Sequence, residues 1–186
     1  MMKALCRSIL AVVLLAGSVA HGEVPAAYRR IAPQYDLPVV VLYAVALCES
    51  GRRIESGFRP WPWTLNINGE GQVFQDKQHA VQAAAEAIDR GSTVDLGIMQ
   101  VNWHYHGHRF HGVSEALDPY ANLKVGAAIL REYARKHGSL WQGIGHYHSG
   151  TPERADAYQA RCARILVDTL DRQQSRDHRA GGVRNG

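Results

Sequence analysis

Two short segments hold side chains that belong in a reaction rather than in a core. In Ala46-Leu47-Cys48-Glu49-Ser50-Gly51 a single carboxylate closes the apolar run of residues 38–48. Glu49 therefore sits where water is scarce, and its carboxyl resists ionising near neutrality. In Asp95-Leu96-Gly97-Ile98-Met99-Gln100-Val101-Asn102 a small residue, a flexible apolar one and two amides are packed together, as a polymer-binding groove requires. A proton donor beside such a groove points to cleavage of a glycosidic bond.

The elements that must position these groups come from one domain. A chain of 186 residues, 46% apolar and 20% charged, is long enough for one compact core and too short for two domains of ordinary size. The net charge of +4 is modest, and Lys3, Arg7, Arg176, Arg179 and Arg184 place much of the excess in the terminal segments, so no nucleic-acid partner is inferred. Lys3 and Arg7 precede an apolar run over residues 9–15, followed by Ala16-Gly17-Ser18-Val19-Ala20, so residues 1–22 read as a signal peptide. That run is shorter than the roughly 20 residues of a membrane span. Export to the periplasm is expected, with no stable span after cleavage.

Export leaves Cys48 and Cys162 in a compartment that permits a disulfide, and one pair allows one connectivity. The bond would be worth roughly 4 to 5 kcal/mol in the chain-entropy model. Two buried thiols are the alternative.

In chain order, Tyr28, Ile31 and Tyr35 follow Pro25 with helical spacing. Asp36 and Pro38 signal the start of a second helix, whose apolar run is too long for a strand and stops at Gly51, putting Glu49 in its last turn. Residues 63–67 and 72–74 flank Asn68-Gly69 and predict a hairpin. A helix over residues 76–90 presents Val81, Ala84, Ala85 and Ile88 on one face. Asp118-Pro119 opens a helix with Leu123, Ala127, Leu130 and Ala134 on its core stripe; Ser139 caps a shorter one through Leu140, Ile144 and Tyr147. Thr151-Pro152 starts the last helix, lined by Tyr158, Cys162, Ile165, Leu166 and Thr169. The expectation is an α+β fold, predominantly α, over residues 23–170, with a flexible polar tail at 171–186.

Two clusters stay ambiguous. Trp61 and Trp63 would either stack on sugar faces or cover the core beside the hairpin. His104, His106, His108 and His111 show no regular ligand face, with Gly107 interrupting them, so they read as a solvated loop or glycan-contacting rim rather than a zinc site.

Glu49-Ser50, then Gly97-Ile98-Met99-Gln100, then Asp118-Pro119 with Asn122 and Gly126, then Tyr147-His148-Ser149-Gly150 form an ordered series. The series resembles the soluble-lytic-transglycosylase domain, a goose-type lysozyme relative. More closely it resembles the small exported members attached to type IV secretion, conjugation and pilus systems. The resemblance covers about residues 24–170 and implies a lysozyme-like fold with a small β-hairpin insertion. It also implies cleavage of the N-acetylmuramic acid to N-acetylglucosamine bond of peptidoglycan, with no metal or other cofactor. Glu49 matches the glutamate that acts first as acid and then as base. Met99 and Gln100 match the groove floor and its amide contact, and Tyr147 matches the tyrosine that orients the glutamate. Ser50 either bonds backbone at the helix end or shapes the site, and Asn102 lies in the groove segment.

Three features depart from the family pattern. His148 stands where the family has asparagine. The interval from Glu49 to Gly97 is long, its residues 52–94 forming an insertion that would serve as lid, specificity wall or docking surface. Asp95 also resembles the second carboxylate of animal-type lysozymes, which would permit hydrolysis, or it caps a turn. Alternatives to the lyase are therefore a muramidase using Glu49 and Asp95, and a non-catalytic peptidoglycan-binding module that recruits secretion, conjugation or pilus components.

Overall fold

The computed structural model describes residues 24–182. The expected signal peptide, residues 1–22, lies outside the described residues. Because α2 (Val39–Ser50) is apolar on all sides, it can only be stable at the centre. Leu42 to Cys48 are all buried there. Against it pack α1 (Ala26–Ile31) with its following 3-10 turn (Ala32–Tyr35) and α8 (Pro152–Gly182), while α6 (Pro119–Lys136) packs on α1 and on α7 (Leu140–His148), and α7 on α8. Among the described residues no single helix is long and apolar enough to cross a membrane; α1 and its turn with α2 reach that length only as a pair bent by 111°.

Beyond Gly51 the chain leaves α2 directly into a two-stranded antiparallel hairpin, β1 (Gly51–Ile54) and β2 (Gly57–Pro60). It then enters a four-stranded antiparallel sheet in the order β4-β3-β5-β6, built from β3 (Thr64–Ile67), β4 (Glu70–Val73), β5 (Val94–Leu96) and β6 (Val101–Asn102). Asn68-Gly69 makes the expected turn, with both residues at positive φ. Between β4 and β5 lies α3 (Lys77–Asp89), N-capped by Asp76, whose side chain accepts from the His79 N–H. Short α4 (Trp103–His106) and α5 (Val113–Ala116) lead into α6.

Three expectations are corrected. The β1–β2 hairpin was not foreseen. The face that α3 buries is Ala80, Ala84 and Ala87, while Val81 and Ile88 only flank the core. The boundary expected after Leu170, between the domain and a flexible polar tail, falls inside α8, which continues to Gly182; Thr169 is buried and Asp168 pairs with Arg172 across that boundary. By contrast, Leu123, Ala127, Leu130 and Ala134 are all buried on α6, and Ser139 caps α7 by accepting from the Gln142 N–H.

Cys48 and Cys162 are joined by a disulfide with Cα atoms 5.9 Å apart, which ties the C-terminal end of α2 to the middle of α8. The Gly97–Gln100 turn between β5 and β6 is seated on α6. Gly97 has φ +77°, and a Cβ there would meet the Asn122 side chain; a Cβ on Gly126 would meet Met99 at 2.5 Å. Gly126→Ala therefore overpacks the buried floor beneath the turn, at a cost of about 1–3 kcal/mol. Thermal unfolding should fall by roughly 2–10 °C, and an unchanged midpoint would show that Met99 yields freely.

Candidate active site

The turn that carries Met99 and Gln100 is held by side chains from three helices. Ser50 at the end of α2 donates to the Ile98 carbonyl at 2.8 Å and to its own helix at Ala46. Fully buried Asn122 of α6 accepts from the Met99 N–H and donates to the Leu96 and Ala116 carbonyls, each at 2.8 Å. From α7, the Tyr147 hydroxyl donates to the Met99 carbonyl at 2.7 Å. Backbone groups in a buried turn have no water to pair with, so these contacts satisfy what the sheet cannot. With its own backbone at φ +45°, Gln100 is the strained member of the turn, and its amide donates to the Gly97 and Thr64 carbonyls.

Alongside this turn runs a cleft of about 580 Å³. Glu49, Asp95, Gln100, Asn102, Tyr147 and His148 all line it, so the structure gathers these sequence-predicted residues at one site. Ser50 and Met99 are buried outside the lining: Ser50 holds the turn, and Met99 supports the cleft floor from beneath. Trp61 and Trp63 do not line it either. Trp61 donates its indole N–H to the Phe74 carbonyl, and Trp63 packs on the core, so the covering role is the one they fill.

Glu49 is partly exposed to the cleft and otherwise surrounded by protein. Burial pushes its pKa from 4.5 up to about 7; the Tyr158 hydrogen bond and the Arg161 charge pull down, and the Asp95 charge pushes up again. The hydroxyl that reaches the carboxyl is that of Tyr158, donating to Oε1 at 2.5 Å, and not that of Tyr147, which is spent on the turn. Burial and the neighbouring Glu49 charge hold both tyrosine hydroxyls well above their usual range, so both stay protonated as donors. Tyr158 is in turn sandwiched: His148 stacks on it at 4.4 Å and 7°, and the Arg161 guanidinium lies 5.2 Å from its ring. Arg161 also donates to the Cys48 carbonyl at 2.9 Å.

Asp95 sits on β5 opposite Asn102, whose amide donates to it at 2.7 Å, so it is a strand residue and not a turn cap. Its carboxyl is raised by burial and lowered by Asn102. Asn102 also caps α4 by accepting from the Tyr105 N–H.

Sequence reading missed Tyr158 and Arg161 as site residues, having placed Tyr158 on a core stripe. A usable signal existed: a Cys48–Cys162 bond sets the turn of α8 that precedes Cys162 next to Glu49. It also missed Asn66, which lines the cleft together with His106, one of the four histidines read as a solvated loop or glycan-contacting rim.

A buried acid beside a polar cleft, seated between a central helix and a small antiparallel sheet, defines a lysozyme-like protein. The chain belongs to the family of the transglycosylase SLT domain, whose model matches residues 27–164. It is 33% identical over 89 residues to invasion protein IagB of Salmonella typhimurium, covering 45% of this chain and 56% of that protein. It is 27% identical over 85 residues to protein IpgF of Shigella flexneri, covering 43% and 55%. The matched segment thus spans about half the length of these relatives. No solved structure matches the chain significantly.

The fold favours the protonated form of Glu49, so this group's contribution to stability is complete below about pH 4.5 and is lost as pH rises through about 7. An ionised carboxyl there costs on the order of 3 kcal/mol. Glu49→Gln, which keeps the acceptor for Tyr158 but cannot ionise, should raise unfolding free energy at pH 8 by about 1–3 kcal/mol and change it little at pH 4. Urea unfolding at the two pH values measures this, and an equal effect at both would contradict it.

Proposed function

We propose that this protein is a peptidoglycan lytic transglycosylase that cleaves the glycosidic bond between N-acetylmuramic acid and N-acetylglucosamine. The observation that carries this reading is the Glu49 carboxyl, protonated near neutrality and held by Tyr158 at the wall of a polar cleft. Glu49 acts as acid toward the leaving glycosidic oxygen while the substrate's own acetamido group supports the developing charge. Now a carboxylate, Glu49 takes the proton of the muramyl 6-hydroxyl, whose oxygen closes on C1 to give a 1,6-anhydro ring. One group must give up and regain a proton within a turnover, which a pKa of about 7 suits.

Asn66, Gln100 and His106, polar residues of the cleft lining, supply contacts for the sugar amides and hydroxyls. The residues call for neither metal nor organic cofactor. A periplasmic location is supported by the N-terminal targeting pattern and by the disulfide, which persists in oxidising compartments. There the enzyme would open the wall locally for an envelope-spanning apparatus. Similarity to a protein called an invasion protein supports that role.

Asp95 favours a second reading, because its charge reaches Glu49 across the same cleft and a carboxylate so placed can serve hydrolysis. Mass spectrometry of digested sacculi separates the two. The lyase yields anhydromuramyl ends one water lighter than hydrolytic ends, and Glu49→Gln abolishes them while the protein stays folded. Reducing ends alone would establish the Asp95 route, and full activity in Glu49→Gln would remove the enzymatic role assigned to this residue.

A further inference from the structure

One wall of the cleft carries more positive charge than the proposed proton transfers use. On α8, Arg154, Tyr158 and Arg161 stand at i, i+4 and i+7, a single stripe along one helix face. Its middle member holds Glu49, and an arginine stands on the helix on either side of that tyrosine, the two backbone positions about 10 Å apart by helical rise. Arg154 and Arg161 both line the cleft, as do His146 and His148 at the end of α7. The cations sense one another: burial, then the Arg161 and Arg154 charges, hold the His148 imidazole below its usual pKa. Among the described residues no carboxylate forms an ion pair with Arg154 or Arg161, and the acid that Tyr158 of the stripe holds, Glu49, has its pKa raised by burial. The opposite, sheet wall is different in kind, presenting Asn66, Asp95, Gln100 and Asn102.

A glycan backbone of amides and hydroxyls gives such a stripe nothing to neutralise. The peptide that peptidoglycan carries does, since its carboxylates hang from the lactyl group on C3 of the muramyl ring whose C1 bond breaks. We propose that the Arg154–Arg161 face of α8 is a binding site for stem-peptide carboxylates, with Arg154 as the principal anchor, so that the enzyme selects peptide-bearing glycan over neutral glycan. This rests on the peptidoglycan reading above and names the substrate feature that the site selects. Arg161 keeps its contacts to Cys48 and Tyr158 and offers its remaining N–H groups, whereas Arg154 is exposed with no protein ion pair and can turn its fork to a carboxylate.

The test is a binding measurement on the Glu49→Gln protein, which leaves ligands intact. Calorimetry compares a soluble disaccharide-tetrapeptide fragment of peptidoglycan with the same fragment whose peptide carboxyls are all capped as amides. The free acid should bind about tenfold more tightly at low salt, a margin that shrinks as salt screens the contact. Adding Arg154→Ala should erase the margin, with Arg154→Lys restoring part of it. Equal binding of the two fragments, or a margin that survives Arg154→Ala, overturns the inference while leaving the lyase reading to its product analysis. Binding of neither fragment overturns both.

Discussion

The site depends on keeping one carboxyl unionised at neutral pH without burying it out of reach. Desolvation raises the Glu49 pKa, and the hydrogen bond and charge beside it lower it again; an exposed glutamate would be ionised at neutral pH. The structure sets desolvation at the end of an all-apolar helix against a short hydrogen bond from Tyr158 and the charge of Arg161, with Asp95 pushing back across the cleft. These residues arrive on three elements: Glu49 on α2, Tyr158 and Arg161 on α8, Asp95 on β5. The balance is therefore a property of how α2, α8 and the sheet are packed, and of the disulfide that ties the first two together within one residue of both Glu49 and Arg161.

The same packing explains why several residues of the family-like series are there at all. Ser50, Asn122, Gly126 and Tyr147 do not form the reacting group; they seat the Gly97–Gln100 turn. That turn has few partners for its backbone within the sheet, so three helices lend it side chains, and Gln100 is held in a left-handed conformation beside the cleft. Conformational strain at the site is thereby carried by contacts in the core.

Much of this was legible in the chain. Helices α2, α6 and α7 announce themselves through length, period and caps, and Glu49 is conspicuous as the carboxylate ending the most apolar stretch. Asn68-Gly69 located the β3–β4 hairpin. The β1–β2 hairpin was not legible because Gly51-Arg52-Arg53-Ile54 and Gly57-Phe58-Arg59-Pro60 lack a clear apolar alternation and the second ends in proline; β2 packs against α2. On α3 an alanine-rich face offers several equivalent stripes, and only packing chooses Ala80, Ala84 and Ala87. Tyr158 escaped because a tyrosine on an apolar stripe looks like core and is core, except at its hydroxyl. Polar Gln and Arg residues after Asp171 gave no apolar stripe by which to extend the last helix, yet they are good helix formers once α8 is already nucleated.

A proton-bearing Glu49 is what joins the fold to the chemistry, and it can be observed without substrate. Carboxyl-edited infrared or carbon NMR titration of the folded protein, with Glu49→Gln identifying the signal, reads the group directly. A midpoint of about 7 is expected. Titration near the ordinary 4.5 of a solvated glutamate would contradict the balance described here and leave the cleft without its acid.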